Sequence, residues 1–161
     1  MKLYCVRHGE AESADVDSER PLTQNGQREV ERVAHYLHAH DVKVSHIMHS
    51  TKLRAKETAE IFAQALTSGQ VTECESILDE DANVVALMEM IATWTDDTLI
   101  VGHLPFMPRL ISGLVIGNPD IYPIVNYPPA GIVCLEHFDQ RRWIIQWILN
   151  PFLVSEQKSN A

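Results

Sequence analysis

Leu3-Tyr4-Cys5-Val6-Arg7-His8-Gly9 decides the fold: four apolar residues halted by a cation, an imidazole and a glycine. A short apolar run bounded by a polar, Gly-containing loop reads as a buried strand over residues 3–6. The same punctuation returns where Thr98-Leu99-Ile100-Val101 runs into Gly102-His103, the clearest strand signal in the chain. Residues 44–49 give a third strand and residues 71–78 a weaker one, followed by the acidic run Asp79-Glu80-Asp81. Helical periods lie between them. Thr23 is placed to cap a helix reaching about residue 40, with Val30, Val33, Ala34 and Leu37 on one face. Ser50 is placed to cap a second over residues 51–66, with Ile61, Phe62, Ala65 and Leu66 as its stripe. Val84, Leu87, Met88 and Ile91 repeat at helical spacing, and Pro105 suits the first turn of a helix ending near Gly113 or Gly117.

Strand alternating with helix predicts a three-layer α/β/α domain with a largely parallel central sheet. Pro119, Pro123, Pro128 and Pro129 make residues 118–129 a rigid connection. The tail then reads as antiparallel arms, residues 131–138 and 142–149, turning near Asp139-Gln140. Both faces of the second arm are mostly apolar (Trp143, Ile145 and Trp147 against Ile144, Gln146 and Ile148), which predicts a strand inside a covered sheet. Residues 1–154 form one expected domain, and the polar residues 155–161 a frayed tail.

Composition narrows the function classes. A chain of 161 residues suits a single core, and a formal net charge of -9 argues against nucleic acid or an anionic membrane as partner. The first apolar run is too short for a signal peptide, and no stretch is long enough to span a bilayer, so a cytoplasmic location is expected. Cys5, Cys74 and Cys134 are odd in number and widely spaced, giving neither a disulfide framework nor a metal-ligand pair. His35 and His38 share a helix face but have no third ligand in the pattern, and His46 and His49 point to opposite faces of a strand.

The chemistry gathers at the strand ends. In open α/β sheets ligands bind beyond the carboxyl ends of strands, where Arg7, His8 and His103 would meet if both their strands are central and parallel. Arg54, early in the helix after the third strand, joins them. A cationic pocket in an acidic protein favours a bound anion, most simply phosphate. A neutral imidazole is a competent nucleophile at phosphorus near pH 7. Guanidinium groups match the charge on the equatorial oxygens, so no metal or cofactor is required.

Arg7-His8-Gly9-Glu10 resembles the signature of the histidine phosphatase superfamily, the phosphoglycerate-mutase-like group. Further blocks match in the same order: Arg20-Pro21-Leu22-Thr23 with Gly26, then Ser50-x-x-x-Arg54-Ala55-x-x-Thr58, then Val101-Gly102-His103. The short length and the Arg-Pro-Leu-Thr stretch resemble the small SixA-type phosphohistidine phosphatases. The resemblance implies that His8 becomes phosphorylated, that Arg7, Arg54 and His103 complete the phosphate pocket, and that Arg20 is a SixA-type addition. A backbone carbonyl on one His8 nitrogen would turn the other toward phosphorus. The implied substrate is a phosphohistidine-bearing phosphotransfer protein of a signalling relay.

Many members of the group place a Glu after the third strand as general acid. Glu80 lies near that position, and Glu12, Asp15, Asp17 and Glu19 of the acidic loop are alternatives. A phosphohistidine substrate, with imidazole as leaving group, needs only modest protonation. Two rival readings stand beside this one: a small-molecule phosphomonoesterase on the same scaffold, and a non-catalytic phosphate-binding module.

Overall fold

Thr98–Gly102 is buried at every position, because layers of side chains cover both its faces. The computed structural model describes residues 1–75, 83–139 and 142–154. In chain order these form β1 (Lys2–Arg7), α1 (Gln24–Ala39), β2 (His46–His49), α2 (Leu53–Leu66), β3 (Gln70–Glu73), α3 (Val84–Ile91), β4 (Thr98–Gly102), α4 (Phe106–Ile116), β5 (Ile132–Asp139) and β6 (Arg142–Leu149), with a 3-10 turn at Pro151–Leu153. One six-stranded sheet has the order β3-β2-β4-β1-β5-β6. β3, β2, β4 and β1 run parallel, while β5 and β6 close the sheet antiparallel. The expected three-layer architecture, parallel core and antiparallel arms are all present.

Alternation along the strands builds two cores. Tyr4, Val6, Leu99 and Val101 pack with Val30, Val33 and Leu37 of α1 and Phe62 of α2. Leu3, Cys5 and Ile100 face the other way, onto Leu87 and Ile91 of α3 and Phe106 and Leu110 of α4. The helices after β1 and β2 therefore cover one face, and those after β3 and β4 the other. β1 and β4 are adjacent, so their following segments part to opposite sides, and a crevice opens at their carboxyl ends.

Several boundaries differ from expectation for identifiable reasons. Val44 is buried and its N–H donates to Leu66 O, but the β2 ladder begins at His46, opposite Thr98 where β4 begins. β3 stops at Glu73, the last residue with a partner on β2 (His49). Residues 76–78 of the expected strand and the acidic run 79–81 lie outside the described residues, as do residues 155–161. Ser50 does not cap α2. The cap position is Lys52, which makes no side-chain cap bond, and the Ser50 hydroxyl is taken up by His103. Pro105 lies just before α4 rather than in its first turn, and the helix ends at Gly117, whose φ of 77° suits the left-handed cap only glycine adopts freely.

The reading of β6 as a covered strand is corrected. β6 is the outermost strand, and Ile144, Ile145 and Ile148 are 41, 37 and 49% exposed. Only Trp143 is fully buried, while Trp147 leans on Tyr4 with ring centroids 5.9 Å apart. A run apolar on both faces has the same composition whether a sheet continues past it or stops there. Among the described residues no helix is long and apolar enough to cross a membrane.

Candidate active site

The crevice is built on main-chain bonds. His8 N donates to Gly102 O and Arg7 N to Gly131 O, while Ala130 N reaches the carbonyls of Arg7 and His8. The stem of the site is thus gripped from β4 on one side and from the start of β5 on the other. Gly9 N donates to Thr58 Oγ1 at 3.0 Å, and the Thr58 hydroxyl donates to Arg54 O one helical turn back at 2.7 Å. A single buried hydroxyl therefore ties the β1 loop to the part of α2 that carries Arg54.

The second sequence block anchors the first. Thr23 N donates to Glu10 O, and the Thr23 hydroxyl donates to Glu10 Oε1 at 2.7 Å while accepting from Gly26 N at 2.9 Å. Thr23 is thus the N-cap that the sequence predicts. Gly26 is required by space: a Cβ there would stand 2.1 Å from Glu10 O.

Two bonds agree on one tautomer of His8. Arg54 Nε donates to His8 Nε2 at 3.3 Å, so the ring proton sits on Nδ1, which donates to Gly9 O at 2.7 Å. Gly9 O is the carbonyl that the resemblance calls for. The His8 and His103 rings stand 5.0 Å apart. Burial, opposed by the Gly9 bond and assisted by Arg54, Arg7 and Arg20, pushes the His8 pKa down to about 4. Burial, then His8, Arg54, Lys52 and Arg20, pushes His103 down to about 3. Both rings are neutral near pH 7. A phosphoryl group bringing negative charge works against these cations and favours protonation of His103, the form that donates to oxygen.

Arg7 donates through Nη1 to Tyr127 O at 2.8 Å, and burial lowers its pKa. Arg20 sits on the acidic loop at φ 50°, sparse for a long side chain, with its Nε donating to Glu12 O at 3.0 Å. That conformation is held by the Ala11/Leu22 bridge and by Glu12 N on Pro21 O. Four buried side-chain polar atoms among the described residues lack a protein partner, and two of them, Arg7 Nε and His103 Nδ1, are here.

The structure thus brings Arg7, His8, Arg20, Arg54 and His103 to one crevice. Glu80 lies outside the described residues. Asp15, Asp17 and Glu19 are solvent-exposed. Tyr127 was not legible as a site residue. Its carbonyl holds Arg7 and its hydroxyl donates to Cys5 O, across a separation in sequence that carries no spacing signal. Ser50 was legible as a helix cap and a letter of a block rather than as a partner of His103, and Thr58 only as a letter of a block, its signal the place four residues after Arg54. His35 and His38 lie on the surface of α1, and no group of three or more metal-ligating side chains occurs among the described residues. A separate hollow of about 350 Å³, lined by His46, Met48, Thr72 and Trp94 among others, lies at the amino ends of β2 and β4, away from this crevice.

The model of the histidine phosphatase superfamily (branch 1) matches residues 3–85, and the chain belongs to that family. Membership implies a phosphatase with a histidine nucleophile. Phosphohistidine phosphatase SixA of Escherichia coli (strain K12) is 30% identical over 123 residues, 73% of this chain and 76% of that protein. A solved structure of the protein histidine phosphatase SixA complexed with tungstate superposes with a TM-score of 0.85 at 24% identity, covering 96% of this chain and all of that one. A probable phosphoglycerate mutase, GpmB of Escherichia coli O1:K1 / APEC, is also 30% identical over 123 residues, but these are only 53% of its length.

Proposed function

We propose that this protein is a phosphohistidine phosphatase in which His8 is the nucleophile and the substrate is a phosphotransfer protein bearing phosphohistidine. The observation that carries the reading is the His8 ring itself. Its proton is fixed on Nδ1 by Gly9 O, and its Nε2 lone pair lies 3.3 Å from the Arg54 guanidinium. The similarity to SixA of E. coli supports the substrate class. The unit that carries the activity is residues 1–154, whose last residue, Val154, still packs in the α1/α2 core.

His8 Nε2 attacks phosphorus as the substrate's P–N bond breaks. Arg7, Arg20, Arg54 and His103 take up the charge on the equatorial oxygens. A substrate imidazole protonated on its far nitrogen departs neutral, so no acid need deliver a proton. Phosphorylated His8 keeps its Nδ1 proton on Gly9 O and is an imidazolium, itself a good leaving group. Water attacks its phosphorus, the P–Nε2 bond breaks, and dihydrogen phosphate leaves with the starting tautomer restored. The chemistry of an imidazole leaving group therefore makes no demand on Glu80, whereas an alcohol leaving group would call on an acid.

The test compares a phosphohistidine-bearing phosphotransfer domain with an aryl phosphate and phosphoglycerate, using wild type, His8→Ala and Glu80→Gln. Fast loss of phosphohistidine, none with folded His8→Ala and an unchanged rate with Glu80→Gln are expected. Measurable turnover by His8→Ala sinks the covalent route. Fast ester turnover with an inert phosphoprotein moves the assignment to a small-molecule phosphatase.

A further inference from the structure

A groove of about 640 Å³ opens directly off the phosphate crevice, sharing with it Arg7 and its carbonyl anchor Tyr127. Leu104 and Pro105 form one wall, beside His103 in sequence; Tyr122, Pro123 and Ile124 of the connection between α4 and β5 form the other. Leu104, Tyr122 and Ile124 are 38, 43 and 39% exposed, large apolar side chains gathered at one place on the surface. Such clusters on a soluble protein mark contact with another molecule.

Charge decides what kind of molecule. Arg7 is the one ionisable side chain of the lining apart from the phenols of Tyr122 and Tyr127. At the rim, Arg109 is neutralised by Asp120 at 3.1 Å and lies 5.9 Å from the centre of the Tyr122 ring. Among the described residues the lining offers a second phosphate or carboxylate on a small metabolite no cation besides Arg7. An apolar surface surrounding a single phosphorylated side chain would find its phosphoryl group beside Arg7 and its neighbours over Leu104 and Ile124. Prolines in both walls hold the backbone in place, so little ordering entropy is lost on contact.

We infer that this shoulder docks the apolar protein surface around the substrate's phosphohistidine, and so selects a folded phosphoprotein over a free phosphorylated metabolite. The inference rests on the phosphohistidine reading above. None of its docking residues is assigned to the chemistry.

Leu104→Gln and Ile124→Gln place an uncharged polar group in the groove without offering Arg7 a counter-ion, with Ile124→Ala as a milder companion; circular dichroism checks the fold of each. The substrates are a helical phosphotransfer domain charged on its histidine with phosphoramidate, and phosphoimidazole, which has the scissile P–N bond and no protein. The Gln variants should lose about tenfold or more in kcat/KM on the phosphoprotein, mostly through KM, with Ile124→Ala intermediate. Phosphoimidazole turnover should stay within about twofold. Unchanged phosphoprotein kinetics in folded variants overturns the docking surface while leaving the chemistry standing. Equal losses on both substrates overturn it too, by making the groove part of the small-molecule site. A variant that alters only sedimentation, not kinetics, assigns the groove to a second copy of this chain instead. Failure of wild type to cleave the charged phosphotransfer domain removes the underlying reading and the inference with it.

Discussion

Thr58→Val removes one buried hydroxyl and keeps the shape of the side chain. In the native protein that hydroxyl accepts from Gly9 N at 3.0 Å and donates to Arg54 O at 2.7 Å. Valine leaves the Gly9 N–H buried with nothing to bind, which costs about 1–3 kcal/mol. The α2 carbonyl loses less, because the helix ladder already serves it. Gly9 is also the residue whose carbonyl fixes the His8 proton, so a shift of this peptide misdirects Nε2. Misplacement by a fraction of an ångström to one ångström lowers a rate by up to about a hundredfold. Urea unfolding should show a lower midpoint at unchanged slope, and rapid quench should show phosphoenzyme forming about ten to a hundred times more slowly with KM little changed. Thr58→Ser keeps the hydroxyl and should restore most of the rate. Full speed in Thr58→Val, or a Thr58→Ser variant no better than valine, would refute the role given to this bond.

The two depressed imidazoles make stability depend on pH. His8 and His103 titrate at about 4 and about 3 in the folded chain against an ordinary 6.5, so the unfolded chain takes up protons first as pH falls. Stability should be full above about pH 6.5 and decline toward pH 4, His8 accounting for about 3 kcal/mol of the loss. His8→Asn should remove the His8 share of that slope in urea titrations and leave the share of His103, and a flat wild-type profile would contradict the burial argument. Arg54→Ala should slow phosphoryl transfer by several orders of magnitude, with Arg54→Lys recovering only part, since an ammonium cannot reproduce the planar fork. An unchanged rate removes Arg54 from the clamp. Gly26→Ala drives a Cβ to within 2.1 Å of Glu10 O, so it should lower the thermal midpoint and activity together; normal behaviour would mean the loop yields without consequence.

What the sequence disclosed followed from local chemistry. The buried runs of β1 and β4 and their polar stops are visible because burial on both faces demands continuous apolar residues, and the stripes of α1, α2 and α3 because each buries one helical face. The Thr23 cap was legible because its partner, Gly26 N, lies three residues away. Ser50 misled the reading because the same hydroxyl that suits a cap also suits a neighbouring imidazole, and His103 is 53 residues distant. Tyr127 was invisible for the same reason, its carbonyl meeting Arg7 across 120 residues. β6 was misplaced because periodicity reports apolar faces and says nothing of strand order. Arg20 could be named as a site residue, but its left-handed backbone could not be foreseen before a proline.

The in-register pairing of β1 with β4 ends with Arg7 opposite Gly102, so His8 and His103 stand one residue past the last rung of a parallel ladder, His8 N still bonded to Gly102 O. Their ring separation of 5.0 Å is close to the roughly 4.8 Å at which any two neighbouring strands lie. The imidazoles therefore spring from neighbouring strand ends at the centre of the sheet, and their contacts with Gly9 and Ser50 set the final orientation of the rings. Warming should not spread the pair apart gradually. Heat inactivation and the loss of the sheet should coincide on a melting curve, with no temperature range in which the protein is folded but its two histidines have lost their alignment.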